Sequence, residues 1–269
     1  MGFRDFVGHA LLDNDKLHFD NAPDTTPRIT QEEAWLVTLS APLSAFNGDH
    51  VDAVATGKDD EGLREGIEQV WGVGDRASFE EKARWLVEEG QRDTYASAWR
   101  AIAAVDDAVQ TTHPLVRMLV EGTFPAFFQI KARKSLDYKA LSAQSGLSFT
   151  DVSQVVTQSR SWVDELRKHF KVAPAQITSL VAWDAVRLVS LSRWAVQLGF
   201  IDRAEFAGFA GGLKQQVQQA YADWPQVSAA YIAGGLIWRY SDEREEHLLR
   251  TNRMLLKDAR SPYRTTAFR

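Results

Sequence analysis

Apolar residues recur along this chain at helical spacing and nowhere alternate over a useful length, so the pattern predicts helices and no sheet. Thr30, with Glu33 three places on, has the form of a capping box and opens a helix whose apolar side is Ala34, Trp35, Val37, Leu39 and Leu43. Asn47 to Gly62 is polar and acidic and reads as a loop. Helices over 63–71 and 78–89 follow, the second with Ser78 and Glu81 at capping-box spacing, and Gly72-Val-Gly-Asp-Arg76 parts them. The stretch from Thr94 to about Arg133 reads as two helices divided near Thr111 to Pro114, with Pro125 kinking or ending the second. A short helix over 136–144, a turn at Gly146 and a longer helix over 150–170 come next. On the longer one Val152, Val155, Val156, Trp162, Val163, Leu166 and Phe170 share a face.

The segment after Pro174 departs from this amphipathic pattern. Leu180, Leu191, Trp194 and Leu198 form one stripe, and Val181, Val186, Leu188, Val189 and Val196 cover most of the remaining circumference. A helix apolar nearly all round belongs at the centre of a fold. Asp184 and Arg187 stand in the middle of its main stripe, three residues apart and close enough to meet, where binary patterning demands an apolar side chain. Beyond it, Asp202 and Glu205 form a further capping box ahead of Phe206, Phe209, Leu213, Val217 and Tyr221. A following helix runs from Pro225 to about Arg239, and its paired Gly234 and Gly235 suggest close approach of a neighbour. The expected architecture is therefore all-α: one globular domain of about 9–11 helices around a buried helix near 180–198. Residues 1–30 read as a flexible or draped arm, 31–240 as the helical domain and 241–269 as a basic C-terminal helix or tail.

Composition narrows the function classes. The 269 residues carry 31 basic and 36 acidic side chains, a net charge of -5, so no global field recruits nucleic acid or an anionic membrane. The absence of cysteine removes disulfides, thiolate nucleophiles and cysteine-ligated metals, and fits a reducing compartment. No signal-like N-terminus and no run of about 18 apolar residues is present, which makes a cytoplasmic location with no membrane contact the expectation. Phosphate-loop, dinucleotide-fingerprint, zinc-protease and nucleophile-elbow motifs are all missing. The six histidines lie scattered at 9, 18, 50, 113, 169 and 247, so neither a metal nor a cofactor is expected, although carboxylate-only Mg²⁺ sites leave weak sequence traces.

Four constellations carry what chemistry there is. Asp184 and Arg187, with Asp75 and Arg76 from the earlier turn, could line a polar cavity in which an Asp acts as base and an Arg orients an anion. The plainer reading is a buried ion pair that fixes helix register. The tryptophans Trp71, Trp85, Trp183, Trp194, Trp224 and Trp238, with Tyr231, fall at core spacing, and the alternative for them is an aromatic platform. Residues 138–158 have the outline of a helix-turn-helix, with Ser153, Gln154 and Gln158 as exposed readers of DNA. Ser142 stands where a small residue such as Ala is expected, and Asp151 opposes phosphate at the start of the recognition helix. Finally, residues 250–269 hold six basic side chains against Asp258 alone, which reads as a solvated extension or a site for an acidic partner or nucleic acid.

Three ordered blocks give the chain a resemblance. They are Trp71-Gly-Val-Gly-Asp-Arg76 with Ala83-Arg-Trp85-Leu; Ala182-Trp-Asp-Ala-Val-Arg187 with Arg193-Trp194; and Gly199-Phe-Ile-Asp-Arg-Ala-Glu205 leading to Trp224 and Tyr231-Ile-Ala-Gly-Gly-Leu-Ile-Trp238. Together they resemble the DUF1266 family of uncharacterised bacterial proteins over roughly residues 31–240. The resemblance implies a bacterial origin and a shared helical architecture, and supplies no catalytic residues. By elimination the expected function is a protein-interaction or regulatory module with a protein partner, of which effector and immunity proteins are one type. A hydrolase or transferase working at Asp184 and Arg187 is the second reading, and a helix-turn-helix DNA-binding protein the third.

Overall fold

A computed structural model describes residues 16–20, 29–111, 162–238 and 242–269. As the periodicity requires, the described residues are helical; the nearest thing to a sheet among them is an isolated bridge between His18 and His50. The helices are α1 (Gln31–Asn47), α2 (Asp60–Trp71), α3 (Arg76–Glu88), α4 (Arg92–Thr111), α5 (Val181–Gln197), α6 (Arg203–Gly208), α7 (Ala210–Ala220), α8 (Trp224–Ile237), α9 (Asp242–Lys257) and α10 (Pro262–Thr265). Contacts divide the chain into two compact units, one formed by residues 1–92 and 179–269, the other by 93–178.

In the first unit α5 is the central helix that its all-round apolar character demands. Helices α1, α2, α3, α6, α7 and α8 all pack on it, and every residue from Ala182 to Ala195 is buried. Gly234 on α8 faces Trp183 so closely that a Cβ there would lie 2.6 Å from the Trp183 ring, so this glycine of the pair does mark a helix-to-helix approach. Helix α1 is more deeply buried than its sequence suggests. Its expected single apolar side becomes an unbroken buried run from Trp35 to Phe46, because α9 covers the side away from α5. Two of the polar residues in that run, Ser40 and Ser44, turn inward to the Arg193 guanidinium of α5.

Local signals set most helix starts. The Thr30–Glu33 and Asp202–Glu205 boxes both form. At α3 the cap is Asp75, with Ser78 as its reciprocal partner, in place of the expected Ser78–Glu81 box; the Asp75 carboxylate accepts the Ser78 N–H at 2.8 Å and starts the helix earlier. Likewise α2 begins at Asp60, capped by Asp59, inside the stretch read as loop. Phe209 interrupts the helix expected after Asp202, which becomes α6 and α7.

The basic C-terminal segment is not a solvated extension. Leu248 and Leu255 of α9 are fully buried with Asn252 between them, while Lys257 points outward, so its basic side is only the outer half of an amphipathic helix. Past α10 the chain returns to the core: Trp35 donates its indole N–H to the Phe268 carbonyl at 3.1 Å and Trp224 to that of Thr266 at 2.9 Å. Tyr263 stacks on Trp224 at 5.7 Å between ring centres. Leu17 joins the same core beside Ala41, Ala45, Val51 and Leu255.

In the second unit, α4 beyond Arg92 carries Trp99, which donates to the Ile177 carbonyl at 3.1 Å, and Asp106, which pairs with Arg167. Trp162, Val163, Leu166 and Phe170 are buried as the long amphipathic pattern requires. The five residues Leu166–Phe170 form a π-helical turn closed by Lys171 at positive φ. The expected breaks at Pro114 and Pro125, the helix over 136–144 and the helix-turn-helix outline over 138–158, with Ser153, Gln154 and Gln158, lie outside the described residues.

The capping box of α1 has a measurable consequence. Glu33 is nearly fully buried and is held bidentately by Arg203 at 2.7 and 2.8 Å. Burial pushes its carboxyl up, but the hydrogen bonds from Arg203 and Thr30 outweigh burial and leave it below its ordinary value of 4.5. A carboxyl lowered by folding stabilises the native state above its unfolded pKa, and that stability is lost as pH falls through the lowered value. Thermal melts of Glu33→Gln across pH 6 to 3 are expected to show a lower Tm than wild type at pH 6 and a gap that closes as the pH falls. A gap independent of pH would refute the assignment.

Candidate functional site

The out-of-place pair on α5 does meet, but as part of a larger arrangement. Gly90 follows α3 at φ +57°, and this reversal aims the next two backbone N–H groups at the Asp184 carboxylate. Gln91 N donates to it at 3.0 and 3.1 Å and Arg92 N at 3.0 Å. The Arg92 and Arg187 side chains donate from 3.3 Å each, so one carboxylate, 1% exposed, takes four donor groups. Burial pushes the Asp184 carboxyl up, against the pull of these N–H groups and of the two guanidinium charges. Arg92 also caps the end of α3 by donating to the carbonyls of Leu86, Val87 and Glu88.

Arg187 leads from this buried carboxylate to an open cavity. Its Nη1 also donates to Gln91 Oε1 at 2.8 Å, and Gln91 Oε1 in turn accepts the Trp183 indole N–H at 3.2 Å. The guanidinium carbon lies 4.8 Å from the centre of the Trp183 ring, 5.1 Å from Trp71 and 5.9 Å from Trp85. These are cation–π distances, so three aromatic rings hold the cation laterally. The cavity beside it has a volume of about 280 Å³ and is lined by Trp71, Trp85, Trp183, Trp238 and Tyr231, by Leu43 and Val70, and by Lys82, Gln91 and Arg187. Lys82 lies over the Trp85 ring at 5.2 Å.

Asp75 and Arg76 do not join Asp184 and Arg187. Asp75 is spent capping α3, and the exposed Arg76 pairs with Glu80 and with the half-buried Glu205 of α6. Trp71, from the same sequence block, does reach the site. Of the aromatic residues expected in the core, Trp71, Trp183, Trp194, Trp224 and Tyr231 are buried. Trp85 is half-buried and Trp238 is 39% exposed; both border the cavity.

Sequence reasoning missed Gln91, Arg92 and Lys82 altogether. The signal for the first two is the Gly90-Gln-Arg92 turn at the end of α3; Lys82 gives none, being one more charge on an amphipathic helix. It also passed over Arg193, which stands among buried apolar residues one turn and a half beyond Arg187. Arg193 is 1% exposed and donates to Ser40 and Ser44 of α1 and to the carbonyls of His50, Ala53 and Val54. Burial pushes its guanidinium down to about 10. Beside it Asp49, fully buried, accepts the Trp194 indole N–H and faces Lys58, and burial pushes its carboxyl up. Among the described residues no group of three His, Asp or Glu side chains could hold a metal ion, and no helix is long and apolar enough to cross a membrane.

A family model described as "Protein of unknown function (DUF1266)" matches residues 66–268, which takes in α3, the central helix, all of the cavity lining but Leu43, and the C-terminal return. No curated protein and no solved structure matches the chain.

The turn that feeds Asp184 is sterically exacting. A Cβ on Gly90 would sit 2.1 Å from the Asp184 carboxylate, whereas one on Gly72, at a similar φ of +67°, meets nothing within 4 Å. Gly72→Ala is expected to cost only the strain of the left-handed conformation, about 1–2 kcal/mol in chemical denaturation. Gly90→Ala is expected to cost at least about 2 kcal/mol more, since it also breaks the hydrogen bonds to a buried carboxylate. Equal losses would show that the Asp184 clamp is unimportant to the fold.

Proposed function

The chain belongs to the DUF1266 family, and we propose that it serves as a recognition module, of the protein-interaction or regulatory kind, whose binding element is the tryptophan-lined cavity. The observation that carries this reading is the position of Asp184. A general base must come within about 2.6–3.2 Å of the proton it removes. Asp184 lies behind Arg187, saturated by donors from the turn after α3 and from two arginines. The described cavity lining contains no carboxylate, serine, threonine or histidine side chain that could replace it. A hydrolase or transferase at Asp184 and Arg187 is accordingly the weaker reading.

The lining suits binding. Ligand sites are concave, mostly apolar and aromatic, with a few placed polar groups that fix orientation. Here Trp71, Trp85, Trp183 and Trp238 supply the aromatic walls, and Gln91, Lys82 and Arg187 the polar points. Trp238 and Val87 are the large apolar side chains that stand exposed among the described residues, and Trp238 borders the mouth. An exposed tryptophan beside an open cavity is a typical anchor for binding.

The test uses indole as a neutral, ring-sized probe, with binding read by saturation-transfer NMR on the full chain. Indole is expected to bind the native protein. Trp238→Ala, which removes an exposed side chain and should leave the melting temperature within a few degrees of wild type, is expected to weaken binding several-fold. No saturation transfer to indole, or transfer unchanged in Trp238→Ala, would remove the basis for the reading.

A further inference from the structure

Acidic side chains are concentrated beside the cavity. Residues 59–89, which hold α2 and α3, carry ten acidic side chains against four basic ones, an excess greater than the net charge of -5 of the whole chain. The same two helices contribute to the cavity wall, α2 with Val70 and Trp71 and α3 with Lys82 and Trp85. Side chains three or four places apart on a helix are surface neighbours. Glu68 therefore flanks Trp71, and Glu81 and Glu88 flank Trp85; all three glutamates are exposed, and no ion pair among the described residues includes them. Of the four basic side chains, Arg76 is taken up by Glu80 and Glu205, Arg64 lies over the Phe200 ring at 5.2 Å and Lys82 lines the cavity, which leaves Arg84 among the glutamates.

The size of the cavity and the reach of this acidic rim point to the same kind of guest. At about 280 Å³ the cavity falls just below the range of about 300–1,000 Å³ for small-molecule sites, and it suits one large apolar side chain. Glu81 and Glu88 stand seven residues apart on α3, about 10 Å along its axis. A free molecule small enough for the cavity does not span that distance, while an extended chain covers it in about three residues. A protein segment with its anchor in the cavity therefore lays the neighbouring residues along the rim. There lysine or arginine meets opposite charge, and aspartate or glutamate meets like charge. Interfaces divide the work in this way, with the seated anchor supplying affinity and the charged rim partner choice.

We infer that the cavity is the docking site for a basic segment of a partner protein: one aromatic or apolar side chain of the segment enters between the tryptophans, and the lysine or arginine residues beside it in sequence face Glu68, Glu81 and Glu88. The inference rests on the recognition-module reading above and adds to it the chemical class of the partner.

Isothermal titration calorimetry of the full chain with three acetylated, amidated pentapeptides tests it: Lys-Lys-Trp-Lys-Lys, Glu-Glu-Trp-Glu-Glu and Lys-Lys-Ala-Lys-Lys. The first is expected to bind at least ten-fold more tightly than either of the others, and raising the salt concentration should narrow its advantage over the acidic peptide. A triple variant, Glu68→Gln with Glu81→Gln and Glu88→Gln, alters exposed side chains and should melt within a few degrees of wild type. It is expected to lose most of the preference for the basic tryptophan peptide over the acidic one. If those two peptides bind wild type equally, or if the preference survives intact in the triple variant, the charge inference is wrong while the cavity remains a binding site. If the alanine peptide binds as tightly as Lys-Lys-Trp-Lys-Lys, the attraction is one of general charge and the anchor inference is wrong. If no peptide binds but indole does, the cavity serves free small molecules and the partner inference is wrong; if indole fails as well, the recognition-module reading falls with it.

Discussion

A carboxylate buried in the middle of the central helix is tolerable only if its surroundings supply donors, and the first unit of this protein is arranged to supply them. Asp184 receives the backbone N–H groups of Gln91 and Arg92 because Gly90 turns the chain back after α3, and it receives two guanidinium groups because α5 and the turn each offer one. An unpaired buried charge costs several kcal/mol, and a buried backbone N–H left unsatisfied about 1–3 kcal/mol. The two penalties cancel by being joined. The same junction fixes where α3 ends, since Arg92 caps its last carbonyls, and where Arg187 sits, since its Nη1 is shared between Asp184 and Gln91. The tryptophan cavity depends on both, with Lys82 and Trp85 coming from α3 and Arg187 forming the wall between cavity and carboxylate.

The other half of α5 repeats the logic with the opposite charge. Arg193 enters the core and donates to carbonyls of the irregular segment after α1, while Gln197 bonds to Thr56, Lys58 and Asp60 at the end of that segment. Backbone polar groups without regular secondary structure have to be satisfied by something. Here one helix does so on two sides, holding the turn after α3 with Asp184 and the segment after α1 with Arg193. A central helix made only of leucine and valine would pack as well and would leave both stretches without partners.

How much of this was legible in the sequence follows from what each feature depends on. Helix existence and the central position of α5 rest on local periodicity, and both emerge from reading residues in order. Asp184 and Arg187 stood out because they interrupt an apolar stripe, and they are indeed the hinge between core and cavity. Their partners did not stand out. Gln91 and Arg92 are ordinary residues in a polar turn, and what matters about them is a backbone direction set by Gly90. Asp75 and Arg76 were misleading for a related reason, since charges beside a glycine turn are as readily spent on a local cap as on a distant site. Arg193 shows a limit of a different kind: one long side chain beside Trp194 blends into a helix already marked by two charges, and its importance appears only with the carbonyls it meets. Trp238 likewise shares its helical spacing with core tryptophans and is set apart by its exposure.

The central claim is that Asp184 and Arg187 act as one structural unit together with the turn after α3. A double-mutant cycle of Asp184→Leu and Arg187→Leu, followed by chemical denaturation, tests it most directly. The account predicts that Asp184→Leu alone costs about 3–5 kcal/mol, because it strands buried donors. It also predicts that the double variant costs less than the sum of the two singles by at least about 1 kcal/mol. Single losses that simply add, to within about 0.3–0.5 kcal/mol, would contradict it.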